Sequence, residues 1–153
     1  MNVLASILFR LCLVIIFPFS TLDKIFNWDG ALKQAEGGIL PGGPVLLIAA
    51  MVVEVGTSVL IVAGIFDRAA AALLAFYCVV TALLYHQFWA QGDFFAKGDS
   101  NGRAHFWDFL KNFGLAGGLG LIILGAPLAS VSYVLTHPLS STPSYDKTAP
   151  DPR

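Results

Sequence analysis

PVLLIAAMVVEVGTSVLIVAGIF, residues 44–66, is the stretch that decides the fold of this chain. It is apolar along almost its whole length and carries one formal charge, Glu54, near its centre. A helix of about 20 apolar residues crosses the ~30 Å hydrocarbon core of a bilayer. A carboxylate at mid-depth costs about 2.5–3.5 kcal/mol unless it is paired or hydrated. Glu54 therefore marks a position inside a helix bundle or in a functional site.

The composition of the whole chain indicates an integral membrane protein. Hydrophobic residues make up 56% and charged residues 12% of the sequence, and the mean hydropathy is +0.72. An ordinary soluble domain has about 25% charged residues. The net charge of −1 provides no basic surface for nucleic acid. We therefore expect the lipid bilayer, and not nucleic acid, to surround this protein.

Four apolar segments predict an all-α fold, an integral membrane four-helix bundle. The predicted helices cover residues 3–20, 44–66, 69–89 and 106–126. Pro18 is placed where the first helix ends, because proline removes a backbone donor. Asp67 and Arg68 are the only residues between the second and third helices, which predicts a tight antiparallel hairpin.

The remaining segments complete a single domain, residues 1–137. The first long connection has the pattern of a short interfacial helix around Trp28 to Ala35. Residues 127–137 suit either a kinked helix or an interfacial segment. Residues 138–153 are rich in Pro, Ser and Thr without apolar periodicity, which predicts a disordered tail.

Several polar side chains fall inside the predicted spans, mostly in the half nearer the long connections. At ~1.5 Å per residue from the face of the chain termini, their depths are about 10 Å for Arg10, 18 Å for Glu54, 23 Å for Lys111 and Asn112, 26 Å for His86 and 31 Å for Lys24. Facing lipid separately would be costly, so we expect these side chains to share one polar pocket. Arg10 and Lys111 are the predicted partners of Glu54. The alternative is a set of structural ion pairs that hold the helices together.

Aromatic residues are also concentrated toward the long connections, and Trp28, Tyr85 and Trp107 are candidates for an aromatic wall of the pocket. An interfacial belt of Trp and Tyr is one explanation. A flat apolar ligand such as a quinone ring is the other. The sequence contains no spacing typical of metal ligands, no phosphate-binding loop and no serine nucleophile motif.

Three sequence runs resemble the DoxX family of small four-helix bacterial membrane proteins. They are PFSTLDKIFNW (residues 18–28), EVGTSVLIVAGIFDRAAAALLA (54–75) and HFWDFLKNFGLAGGLGLIIL (105–124). The resemblance extends over about residues 8–124. The family's recurrent polar positions correspond to Arg10, Lys24, Glu54, Arg68, His86, Lys111 and Asn112. Val55-Gly56-Thr57 departs from the family pattern, which often has Gly-Gly or Gly-Leu after this glutamate.

The resemblance implies a multi-pass protein of the bacterial cytoplasmic (inner) membrane, associated with redox complexes. Some DoxX-like proteins are described as subunits of quinol oxidases or thiosulfate:quinone oxidoreductases, others as membrane partners of soluble redox enzymes. This implies a quinone-linked subunit without an intrinsic cofactor, bound to other subunits or to copies of itself. Whether the chain itself is catalytic stays open. A non-catalytic structural subunit is the alternative, and a small-molecule transporter is less favoured because broken midplane helices are not evident.

Overall fold

Six α-helices and one 3-10 turn make up the described part of the chain. The computed structural model describes residues 3–36 and 43–125, together with residues 135, 138 and 139. The helices are α1 (Val3–Val14), α2 (Ile16–Phe26), α3 (Trp28–Glu36), α4 (Gly43–Ala63), α5 (Asp67–Tyr85) and α6 (Asn101–Leu124), and the 3-10 turn is Phe88–Ala90. Apart from residues 138 and 139, the predicted tail lies outside the described residues, as does 127–137 apart from residue 135.

In the described part of the chain, four segments are long and apolar enough to span a membrane, which confirms the predicted four-helix, all-α architecture. They are Val3–Phe26, Gly43–Ala63, Asp67–Ala90 and Asn101–Leu124. Their outer surfaces carry exposed large apolar side chains, for example Phe9, Val52, Phe76 and Leu121. Such a surface suits acyl chains and would be unfavourable in water. The helix α3 matches the interfacial helix that was predicted around Trp28 to Ala35.

The first span continues past the predicted end at Ser20. Pro18 lies in the first turn of α2, where a missing backbone N–H is tolerated because first-turn donors have no partner within the helix. The junction at Ile15 keeps right-handed helical dihedral angles, and the Ile15 N–H still donates to Leu11 O at 2.9 Å. The span therefore runs to Phe26 and places Thr21 and Lys24 on a helix.

Two other helix boundaries also differ from the predicted ones. α6 begins at Asn101 and not at residue 106, because Ser100 caps it: the Ser100 side chain accepts a hydrogen bond from the Arg103 N–H. α4 ends at Ala63, and the turn to α5 uses positive φ angles at Gly64 and Phe66. Asp67 is consequently the first residue of α5.

The helices are closely packed in one half of the bundle and separated in the other. In the half that contains α1, a core is formed by buried residues from α1, α2, α4, α5 and α6: Val14, Phe17, Ile61, Ala70, Ala71, Leu74, Cys78 and Leu119. There α1 approaches α6, and a Cβ at Gly118 would lie 2.8 Å from Leu13 Cδ1. α2 contacts α3 and α4, but among the described residues none of its Cα atoms lies within 8 Å of a Cα atom of α6. In the other half of the bundle, α2 and α6 are therefore not in close backbone contact.

Candidate functional site

Glu54 accepts hydrogen bonds from two neighbouring spans. Its side chain is 3% exposed, and Lys24 Nζ lies 2.7 Å from Oε1 and 2.9 Å from Oε2. Thr21 Oγ1 donates to Oε2 at 2.8 Å, and Ser20 Oγ lies 3.3 Å from Oε1. From α5, the Tyr77 hydroxyl donates to Oε1 at 2.8 Å. The buried carboxylate is thus paired with a cation and bonded to three hydroxyl groups, as a charge in this position requires.

The helix geometry explains why Lys24 reaches Glu54. Side chains tilt toward the N-terminus of their own helix, and α2 and α4 run in opposite directions. The two side chains therefore point toward each other along the membrane normal. Lys24 follows Ser20 by four residues and Thr21 by three, so it lies about one turn from each of them on α2, and Lys24 Nζ also donates to Ser20 Oγ at 2.5 Å.

The prediction that Arg10 pairs with Glu54 is wrong. Arg10 Nη2 lies 2.6 Å from Asp67 Oδ2, and its Nη1 donates to Ile61 O at 2.8 Å. Arg10 and Asp67 are both buried. The Arg10 side chain tilts toward the N-terminus of α1, away from Glu54 and toward the start of α5. This pair lies in the closely packed half of the bundle.

The prediction that Lys111 pairs with Glu54 is also wrong. Lys111 Nζ lies 2.6 Å from Asp108 Oδ1, three residues earlier on α6, and both side chains are nearly half exposed. Asn112 Nδ2 donates to the Asp108 backbone carbonyl at 2.9 Å. His86 Nδ1 is 3.9 Å from Asp108 Oδ2, and the His86 ring lies 5.7 Å from that of His105. A second polar group, the α6 cluster, therefore combines His86, at the C-terminal end of α5, with four residues of α6: His105, Asp108, Lys111 and Asn112.

A cavity of about 810 Å³ lies between α2, α3, α4, α5 and α6. Among the predicted site residues, Lys24, Glu54, Tyr85, His86, Lys111 and Asn112 line it. Arg10, Trp28 and Trp107 are not among its lining residues. Apolar residues make up much of the remaining wall, including Leu47, Ala50, Val53, Val80, Leu84 and Leu115. The cavity therefore has polar groups on two sides, from Glu54 and Lys24 and from the α6 cluster.

Aromatic residues of the α5–α6 connection and of the first half of α6 pack against one another outside this cavity. Phe88, in the 3-10 turn, makes edge contacts with Trp89, Phe106 and Phe109 at centroid distances of 5.1–5.5 Å. Trp107 is 66% exposed, consistent with a place in an interfacial belt. These aromatic side chains hold the 3-10 turn against α6. The concentration of aromatic residues in this region is therefore explained by helix packing more than by a ligand site.

The connection between α5 and α6 is held on the first turn of α6 by polar contacts. The Asp93 carboxylate accepts hydrogen bonds from the backbone N–H groups of Asn101 at 2.8 Å and Gly102 at 2.7 Å. The Gly102 bond, followed by that from Asn101, lowers the pKa of Asp93 below its ordinary value. Arg103 donates to the carbonyls of Phe94, Ala96 and Gly98. These contacts therefore fix the N-terminal end of α6, the helix that carries most of the α6 cluster.

Sequence reasoning missed several residues that complete these networks: Ser20, Thr21, Asp67, Tyr77 and Asp108. Tyr77 gave the strongest available signal, since tyrosine favours membrane interfaces and this one lies in the middle of a span. Asp67 was interpreted as a turn residue. Within the part of the chain that the structure describes, no group of three or more His, Cys, Asp or Glu side chains could hold a metal ion.

Comparison with known proteins identifies the family. The DoxX family model matches residues 5–87, which includes Arg10, Lys24, Glu54 and His86. The chain belongs to the DoxX family. A DoxX relative, the inner membrane protein YphA of Escherichia coli strain K12, is 32% identical over 120 residues, covering 77% of this chain and 80% of YphA. Its location agrees with the expected inner-membrane location. No solved structure matches the chain.

Proposed function

We propose that this DoxX protein is an inner-membrane subunit of a quinone-linked redox complex, and that its cavity holds the quinone head group beside Lys24 and Glu54. The observation that carries the proposal is the cavity itself. Its volume of about 810 Å³ is within the roughly 300–1,000 Å³ range of small-molecule sites, which typically combine apolar walls with a few fixed polar groups.

The polar groups at the Glu54 side suit the oxygen atoms of a quinone or quinol. Lys24 lines the cavity with a side chain that is 19% exposed, whereas Glu54 is 3% exposed. Lys24 Nζ donates to Ser20 Oγ and to both carboxylate oxygens of Glu54, so a quinone carbonyl oxygen would replace one of these acceptors on the cavity side, while Glu54 would keep the ammonium group in position. Tyr77, which also lines the cavity, adds a hydroxyl group next to the carboxylate.

A bound quinone would supply the two-electron redox chemistry, and the electrons would pass to another subunit of the complex. The chain's own residues would bind and orient the head group. The apolar wall would exclude bulk water from the head group and strengthen these polar contacts.

Replacing Glu54 with Gln tests the proposal. In purified protein reconstituted in lipid nanodiscs, we expect Glu54→Gln to weaken binding of a short-chain benzoquinone by at least tenfold. The substitution removes the carboxylate that positions Lys24, and the charge-assisted hydrogen bond from Lys24 to the quinone would contribute about 1.5–3 kcal/mol. Ser58→Ala is the control: Ser58 is buried one turn further along α4 and bonds only to the Glu54 backbone carbonyl among the described residues. Unchanged quinone affinity in a folded Glu54→Gln protein would contradict the proposal.

One observation favours a second candidate function, a non-catalytic structural subunit. Glu54 joins α2, α4 and α5 through the bonds from Thr21, Lys24 and Tyr77, so its role could be complete without a ligand. On this reading Glu54→Gln lowers the unfolding temperature and the yield of the native assembly, and quinone has no effect on either. A rise in unfolding temperature with added quinone, seen in wild type and lost in Glu54→Gln, separates the two functions.

A further inference from the structure

Among the described residues, the cavity reaches the outer surface between α2 and α6, because its wall includes exposed side chains of both helices, Phe19 and Lys111. In the closely packed half of the bundle, α1 and α6 meet at Leu13 and Gly118. Beyond the junction at Ile15, α2 follows α4, and within the described ranges no Cα atom of α2 lies within 8 Å of a Cα atom of α6. The cavity nevertheless includes residues of both helices in its wall. The space between these two helices is therefore part of the cavity.

The rim of this opening changes from polar to apolar along the membrane normal. Near the long connections it carries Asp23 on α2 and Lys111 on α6. Toward the bilayer centre it carries Ile16 and Phe19 on α2 and Leu115 on α6. Phe19 is 64% exposed and continues into the lipid-facing surface of the span. The apolar part of the cavity wall therefore continues into the apolar outer surface of α2.

We infer that the ligand of this cavity is a bilayer-dissolved amphipathic molecule, whose polar head lies inside and whose apolar tail leaves between α2 and α6. The inference rests on the proposed function for the site of the head group, and it adds the chemical class and the route. Entry occurs from the lipid side. A polar, water-soluble molecule of the same head-group size would lack the contacts with Ile16, Phe19 and Leu115.

Narrowing the apolar part of the opening tests the route. Leu115→Trp places a larger side chain on the α6 rim, and Leu121→Trp on the same helix, 64% exposed to lipid and not part of the cavity wall, is the matched control. In nanodiscs we would measure the affinities of a decyl-tailed benzoquinone and of the same ring without a tail. We divide the affinity for the decyl-tailed benzoquinone by the affinity for the ring without a tail. We expect this ratio to fall at least tenfold in Leu115→Trp and to change less than twofold in Leu121→Trp. An unchanged ratio in Leu115→Trp would overturn the inference, while the absence of any quinone binding would overturn the proposed function.

A second measurement with the same two variants needs no quinone. Trp28, Trp89 and Trp107 would be replaced by Phe, so that the introduced indole is the only one present. We expect the indole at position 115 to be quenched by phospholipids with brominated acyl chains at least half as strongly as the indole at position 121, and little by aqueous iodide. Strong iodide quenching with weak quenching by brominated lipid at position 115 would show an aqueous cavity closed to the bilayer, and would overturn the inference whether or not quinone binds.

Discussion

The Tyr77 hydroxyl donates to Glu54 Oε1 at 2.8 Å and so connects the α5 and α4 spans inside the bundle. Tyr77→Phe removes this donor while Lys24, Thr21 and Ser20 remain. We expect a loss of about 1–2 kcal/mol of stability, measured as a shift in thermal unfolding in mild detergent. Tyr85→Phe, on the same helix and on the same cavity wall, is the control and should change little. Equal stability of wild type and Tyr77→Phe would contradict this assignment.

The ion pair between Arg10 and Asp67 is buried, whereas that between Lys111 and Asp108 is half exposed. Asp67→Asn leaves the Arg10 charge buried with weaker compensation, so we expect a loss of about 3–5 kcal/mol. Asp108→Asn should cost at most about 1 kcal/mol, because exposed pairs contribute little. The free energies of unfolding of both variants would be measured in the same detergent. Similar losses would show that burial does not decide how much each ion pair contributes to stability.

Gly102 allows the α5–α6 connection to lie against the first turn of α6. A Cβ at this position would be 2.8 Å from Asp93 Oδ1 and 3.0 Å from the Phe94 backbone nitrogen. Gly102→Ala should therefore destabilise the protein by about 1–3 kcal/mol. Gly114→Ala, on the same helix, meets no atom within 4 Å and should stabilise it by about 0.5–1 kcal/mol. Shifts of the unfolding temperature in opposite directions for the two variants would confirm the close contact at Gly102, and shifts in the same direction would exclude it.

The connection should loosen in acid because the pKa of Asp93 is lowered in the folded protein, chiefly by the Gly102 N–H. A depressed carboxyl pKa stabilises the folded loop fully above the ordinary value of 3.8. Below that pH the unfolded loop binds its proton first, and the stabilisation falls until the folded carboxyl is also protonated. We expect hydrogen exchange at the Asn101 and Gly102 amides, corrected for intrinsic rates, to be protected at pH 6 and less protected near pH 3. In Asp93→Asn, the protection of these amides should depend less on pH than in wild type. An equal pH dependence in the two proteins would show that another group titrates.

The sequence was sufficient to predict the fold because each span is apolar over the length that a bilayer requires. It also identified Lys24, Glu54, His86, Lys111 and Asn112, five of the residues that line the cavity. The pairing of the charges was not predictable from depth alone, because depth along a helix omits the direction in which a side chain tilts. That direction sends Lys24 toward Glu54 and Arg10 away from it. Ser20, Thr21 and Tyr77 were missed because a single hydroxyl group in a span costs little and has many possible roles.

The distribution of the two buried ion pairs has a consequence for biogenesis. Both cations, Arg10 and Lys24, belong to the first span, and their anions Asp67 and Glu54 belong to the third and second. At the stage when only the first span has left the ribosome, neither cation has its partner. Lys24 lies near the interface and can reach water, whereas Arg10 lies within the hydrocarbon, where an unpaired charge costs about 2.5 kcal/mol or more. The first span therefore gains stability in the membrane when the α4–α5 hairpin enters beside it. Insertion and folding of this protein are in that sense one cooperative event.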